Sequence, residues 1–90
     1  MAKLNVGETG LAFGVVVGLA HVVWVALVAL GQAQPLLDFL FRIHFVAVDF
    51  WVQPFEPNLA AEAVAISFVA SSAAAALFAI IWNLLDRIRK

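Results

Sequence analysis

The chain has 90 residues, of which 66% are hydrophobic and 12% charged, and its formal net charge is −1. Soluble domains are nearer to about 45–50% apolar and about 25% charged, so a soluble fold of this size would leave too much apolar surface in water. The slightly acidic balance argues against nucleic acid as a partner, which would need a basic face, and the absence of cysteine excludes disulfides and thiolate metal sites.

The first apolar segment predicts a transmembrane helix over about residues 10–31. Residues 11–30 carry no formal charge and would form about 30 Å of helix, which matches the hydrocarbon core of a bilayer. Gly31 followed by Pro35 is typical of a helix end. A cleaved signal peptide is the alternative, since Lys3 precedes the segment, although the apolar run is longer than a usual signal sequence.

A glycine ladder lies on one face of this predicted helix. Gly10, Gly14 and Gly18, with His21 next in line, fall within about 80° of one another. Glycines spaced in this way let another helix approach closely in a membrane. The predicted partner is a small-residue face of the second apolar segment, made of Ala63, Ser67, Ser71 and Ala74. The ladder can close on that face within one chain or on another copy, and the sequence leaves both arrangements open.

The second apolar segment predicts a transmembrane helix over about residues 59–85, followed by a basic tail at 86–90. Glu62 lies early in this segment, near the positive end of the helix dipole. Four of the five Lys and Arg residues lie near the termini, whereas the linker 34–61 holds only Arg42. The positive-inside rule therefore predicts an integral protein of the cell membrane, with both termini in the cytoplasm and the linker on the outer side.

The linker predicts an amphipathic interfacial helix over about residues 35–50. Asp38, Arg42 and Asp49 lie with Phe45 on one narrow stripe at helical spacing, and we expect this stripe to face water. The remaining residues are apolar, which suits a helix lying in the membrane surface, and Trp51 suits the headgroup level. A re-entrant segment that dips into the bilayer is the alternative.

His21 is the one titratable side chain inside the first span, and such residues are candidates for function. The structural interpretation is a neutral histidine that donates a hydrogen bond across the helix interface, to Ser67, Ser71 or a carbonyl. The functional alternatives are a proton or ion path, or ligation of a haem or chlorophyll-type pigment. No other cofactor or metal site is expected. No nucleophile elbow, phosphate loop or metal-spacing motif is present, so we do not expect an enzyme.

Three short motifs resemble a family of small prokaryotic membrane proteins with two transmembrane helices and unknown function. They are Lys3-Leu4-Asn5 before the glycine-rich span, Ile43-His44-Phe45 followed by Pro54-Phe55, and Phe78-Ala79-Ile80-Ile81-Trp82-Asn83. Members of this family are often labelled holin-like, and the resemblance implies a two-span hairpin with no catalytic residues. Where members usually carry glycines in the second span, this chain has Ser71, Ser72 and an alanine run.

The sequence therefore predicts a single all-α membrane domain over 1–90, a two-span hairpin with an interfacial helix between the spans. The expected role is a structural or accessory subunit that associates with itself or with a larger membrane complex in the bilayer. The alternatives are a holin-like or channel-like pore, and a haem- or pigment-binding subunit that acts through His21.

Overall fold

The computed structural model describes residues 2–89, and this part of the chain forms three α-helices. They are α1 (Val6–Ala29), α2 (Ala33–Ile43) and α3 (Pro57–Arg89). The first and third helices run antiparallel and pack along each other, and α2 contacts α1. The result is an elongated, flat molecule of 51 × 33 × 15 Å. By length and composition, α1 and α3 could each cross a membrane.

Helix α1 begins four residues before the predicted span and ends two residues before its predicted end, with a defined signal at each end. The Asn5 side chain accepts a hydrogen bond from the backbone N–H of Glu8 at 2.9 Å, which satisfies one of the donors that a helix start leaves open. At the other end, Gly31 has a φ of 75° and its N–H donates to the carbonyl of Val28. The N–H of Gln32 donates to the carbonyl of Leu27, which completes a Schellman motif.

Helix α2 is shorter than the helix predicted over residues 35–50. It ends at Ile43 through a second Schellman motif, in which the N–H of Phe45 donates to Arg42 and that of Val46 to Phe41. Phe45 occupies the left-handed position with a φ of 59°, a conformation that glycine adopts at lower cost. The chain beyond it to residue 56 is extended or irregular, so the predicted polar stripe is interrupted after Arg42.

The extended segment folds back onto α2 through the side chain of Gln34. Its Oε1 accepts from the N–H of Val52, and its Nε2 donates to the carbonyl of Phe50 at 3.4 Å and to Asp38 Oδ1 at 3.0 Å. The rings of Phe41 and Phe50 meet edge to face with centroids 5.2 Å apart. These contacts bring the segment to the same end of the molecule as the start of α3.

Helix α3 begins two residues earlier and ends later than the predicted span. Proline suits a first helical position because its missing N–H is not needed there, and the Glu56 carbonyl accepts from the N–H of Ala60. Neither glycine nor proline follows Leu85, and the helix continues through most of the predicted basic tail to Arg89.

Small side chains form the buried interior of the described residues, and large apolar ones lie outside. Among the described apolar residues other than glycine, only Ala33, Ala75 and Ala79 are buried. Val16 on α1 and Val69 on α3 are each 64% exposed, and many other large apolar residues are similarly accessible. The two long helices are thus held by close backbone approach rather than by a core of large side chains.

Candidate functional site

The glycine ladder forms the contact between α1 and α3. Gly10, Gly14 and Gly18 are all buried in this contact. A Cβ atom built on Gly10 would lie 2.9 Å from the carbonyl oxygen of Ser72, and one on Gly14 would lie 3.2 Å from that of Phe68. Real Cβ atoms essentially never come as close as the first distance. The ladder therefore closes on the second long helix of the same chain.

The face of α3 that meets the ladder differs from the predicted one. The glycines contact Phe68, Ser72 and Ala76, one or two positions after the predicted residues Ser67, Ser71 and Ala74. In the structure Ala63, Ser67 and Ser71 are half-buried at the flank, and Ala74 is exposed. The pattern was ambiguous because residues 70–76 are all Ser or Ala, so small side chains surround the helix there. A phenylalanine on the true face was not expected, but its ring fits beside Gly14 and Gly18.

The serines of α3 differ in whether their hydroxyl groups are hydrogen-bonded. Ser67 donates to the carbonyl of Val64 at 3.0 Å, and Ser71 donates to that of Ser67 at 2.6 Å. Bonds to the preceding turn of the same helix allow serine to lie among apolar residues. The Oγ of Ser72 is buried against Gly14 and has no hydrogen-bond partner among the described residues. It occupies the space that a side chain at position 14 would fill.

His21 bonds within its own helix, not across the interface as predicted. Its Nδ1 lies 2.9 Å from the carbonyl oxygen of Val17, and the Nδ1–H tautomer donates this bond. The cause is geometric, because the carbonyl one turn earlier lies directly below the ring on the same face. The side chain is half-buried. With Nδ1 engaged in this bond, Nε2 is the ring nitrogen that could ligate a metal.

A second contact, which the sequence reasoning missed, joins the start of the chain to the end of α3. Asn83 accepts from the N–H of Leu4 through Oδ1 and donates to the carbonyl of Leu4 through Nδ2, both at 2.8 Å. The indole N–H of Trp82 donates to the carbonyl of Ala2 at 2.7 Å. Asp86 lies one turn further along and is 5% exposed. We call this contact, from Ala2, Leu4, Trp82 and Asn83, the terminal clasp.

The only sequence signal for the clasp was the position of Asn83. It lies at the end of an apolar run, where an amide needs a partner, and four residues after Ala79 on the buried face. The partner is backbone rather than a side chain, and backbone groups carry no sequence signature. The pairing could therefore be found only in three dimensions.

The predicted interfacial residues separate into two groups. Asp38 and Arg42 lie on α2 and are exposed, and the guanidinium of Arg42 stacks over the Phe39 ring at 5.6 Å from its centroid. Asp49 and Trp51 lie on the extended segment beyond α2, with Trp51 77% exposed. Of the predicted stripe, Asp38 and Arg42 thus share α2, whereas Phe45 and Asp49 lie beyond its end.

A cleft lies at the end of the molecule where the linker returns. Trp24 and Val28 of α1, Phe55 of the extended segment and Leu59 of α3 line it, and Glu56 lies at the same place. Among residues 2–89, no group of three or more His, Asp or Glu side chains could hold a metal ion. The linker thus packs against both long helices and helps to line this mainly apolar recess.

Comparisons with protein-family models, with curated proteins and with solved structures found no match to this chain.

Proposed function

We propose that the chain is a small integral membrane protein that crosses the bilayer twice and acts as a structural or accessory subunit. The observation that carries this proposal is the exposure of large apolar side chains along both long helices, such as Leu19 at 59% and Ile66 at 65%. Exposed apolar surface on this scale is unfavourable in water. In lipid it is the ordinary state of a helix surface.

The mode of packing supports the membrane environment. In lipid, apolar side chains gain nothing by leaving the solvent, so helices associate through close backbone approach and van der Waals contact. The contact of Gly10 and Gly14 with α3 is of this kind. A water-soluble helical pair would instead bury large side chains between its helices.

The hairpin supports a topology with both ends on one side. Leu4 is bonded to Asn83, so the first and last turns of the structure lie together. We propose that this end is cytoplasmic, since most of the Lys and Arg residues lie there. The segment 34–56 and the start of α3 would then lie at the outer surface.

Alkaline carbonate extraction of membranes from cells expressing the full chain tests the first part of the proposal. An integral protein remains in the pellet, and release into the supernatant would refute membrane insertion. Because the chain has no cysteine, a single Gln53→Cys variant can be labelled from outside intact cells with an impermeant maleimide. The matched Ala2→Cys variant should react only after permeabilisation, and the reverse pattern would refute the orientation.

The subunit role is tested by native electrophoresis after mild solubilisation. A species larger than the monomer, alone or with a co-purifying membrane protein, is expected. A strictly monomeric chain with no partner would contradict this role. Leakage of a dye from liposomes containing the purified chain would favour the holin-like family resemblance and a pore instead.

A further inference from the structure

The end of α3 extends beyond the helix that covers it. Gly10 contacts Ser72 and Ala76, and the antiparallel register places Val6, the first residue of α1, near Ile80. Beyond that point, the terminal clasp covers α3 on one face only. From Leu77 to its end, the opposite face of α3 is therefore exposed in the described chain.

That opposite face has a regular composition. We call it the outer seam, and it consists of Leu77, Ile81, Leu84 and Ile88. Their exposed fractions are 57%, 48%, 49% and 77%. The residues follow one another at intervals of four, three and four, and Ala74 continues the series three residues earlier. This is the repeat with which coiled-coil helices face one another.

The chemistry of the seam selects the kind of partner. Ile81 and Ile88 occupy the first apolar position of the heptad, and Leu77 and Leu84 occupy the fourth. Isoleucine at the first and leucine at the fourth position favours two parallel strands. The seam carries no formal charge, and the nearby Arg87 and Arg89 lie off these positions. A second copy of α3, running in the same direction, fits this face.

Lipid alone does not cover the outer seam, because the seam lies near the membrane surface. The register places Glu8 beside the stretch of α3 between Ala74 and Phe78. An ionised carboxylate avoids the hydrocarbon core, so the α3 turns after Phe78 lie at or beyond the membrane surface. There, exposed isoleucine and leucine meet water and headgroups, and burying them against a partner is favourable.

We infer that the protein forms a parallel homodimer through the outer seam, with each copy contributing the end of α3. This inference rests on the proposed function, because two copies must share one membrane orientation. From Leu77 to Ile88 the seam is about 16 Å long. Such a short coiled coil is weak by itself, but confinement to one bilayer raises the effective concentration of the partner. The glycine ladder plays no part in this contact, since it is closed within each copy.

Cysteine scanning tests the inference directly, because the native chain has no cysteine. Each of the four seam residues is replaced singly by cysteine, with Arg89→Cys as a control that is adjacent to Ile88 and exposed on another face. Membranes containing the full chain are oxidised with copper phenanthroline. We expect disulfide-linked dimers at all four seam positions, formed about tenfold faster than at Arg89.

The outcomes separate the dimer from the membrane proposal. Equal crosslinking at Arg89 and the seam would show random collision and overturn the dimer, as would no crosslinking at any seam position. Crosslinking confined to Ile81 and Leu84, near the middle, would show an antiparallel contact and overturn the parallel arrangement. Carbonate extraction of the same samples is scored independently. An extractable chain that still crosslinks along the seam would refute membrane insertion while supporting the dimer.

Discussion

Replacing Gly14 by alanine tests the packing of the two long helices most sharply. An added Cβ would lie 1.9 Å from the Oγ of Ser72, and 3.2 Å from both the carbonyl oxygen and Cε2 of Phe68. The serine hydroxyl can rotate away at small cost, but the Phe68 carbonyl belongs to the backbone of α3. Relief therefore requires the two helices to move apart, which weakens the neighbouring contact at Gly10.

Gly18→Ala is the matched control. It lies on the same ladder, and its Cβ would meet Phe68 at 3.5 and 3.6 Å, in ordinary van der Waals contact. Both substitutions gain the same helix propensity, so the difference between them isolates the steric contact. Overpacking a tight site costs about 1–3 kcal/mol, and we expect Gly14→Ala to be about 2 kcal/mol less stable than Gly18→Ala. This is a difference of about thirtyfold in the unfolding equilibrium constant.

The free energy of unfolding can be measured by titrating the protein in mild detergent with dodecyl sulfate, followed by fluorescence of its three tryptophans. Combining Gly14→Ala with Ser72→Ala should recover no more than Ser72→Ala gains alone, because the contact with the backbone carbonyl of Phe68 remains. Equal stability of the Gly14 and Gly18 variants, or a larger loss at Gly18, would refute the packing described here.

Three further predictions concern substitutions of Ser72, Asn83 and Phe45. Ser72→Ala should raise stability in the same titration by about 1 kcal/mol, because it removes a buried hydroxyl that has no described partner; a loss would show that the hydroxyl is bonded. Asn83→Leu should speed hydrogen exchange of the Leu4 amide about tenfold, since that amide donates to Asn83, and an unchanged rate would contradict the terminal clasp. Phe45→Gly should stabilise the end of α2 by about 1 kcal/mol, because the residue has a φ of 59°; thermal melting followed by circular dichroism checks it, and a lower midpoint would count against the strain.

The sequence predicted the two long helices well, for reasons that are local. A long uncharged segment in lipid must satisfy its backbone N–H and C=O groups internally, which a helix does. The spacing of Gly10, Gly14 and Gly18 places them on one face of that helix whatever the partner is. The end of α1 was also predictable. Glycine adopts the left-handed conformation after a helix more easily than other residues, and Gly31 has this conformation. Helix α2 was predicted too long because Phe45 occupies such a position without being glycine.

By itself, the sequence located α1 and α3 to within about four residues at each end and determined which face of α1 permits close approach, because periodicity and chain stiffness act within one segment. The tertiary structure decided which face of α3 fills the ladder. Ser and Ala at every position of 70–76 made several faces equally small, and only the fit of Phe68 and Ser72 against the glycines separated them. It also decided that Asn83 pairs with the backbone of Leu4, since a contact between distant segments depends on how the helices are arranged.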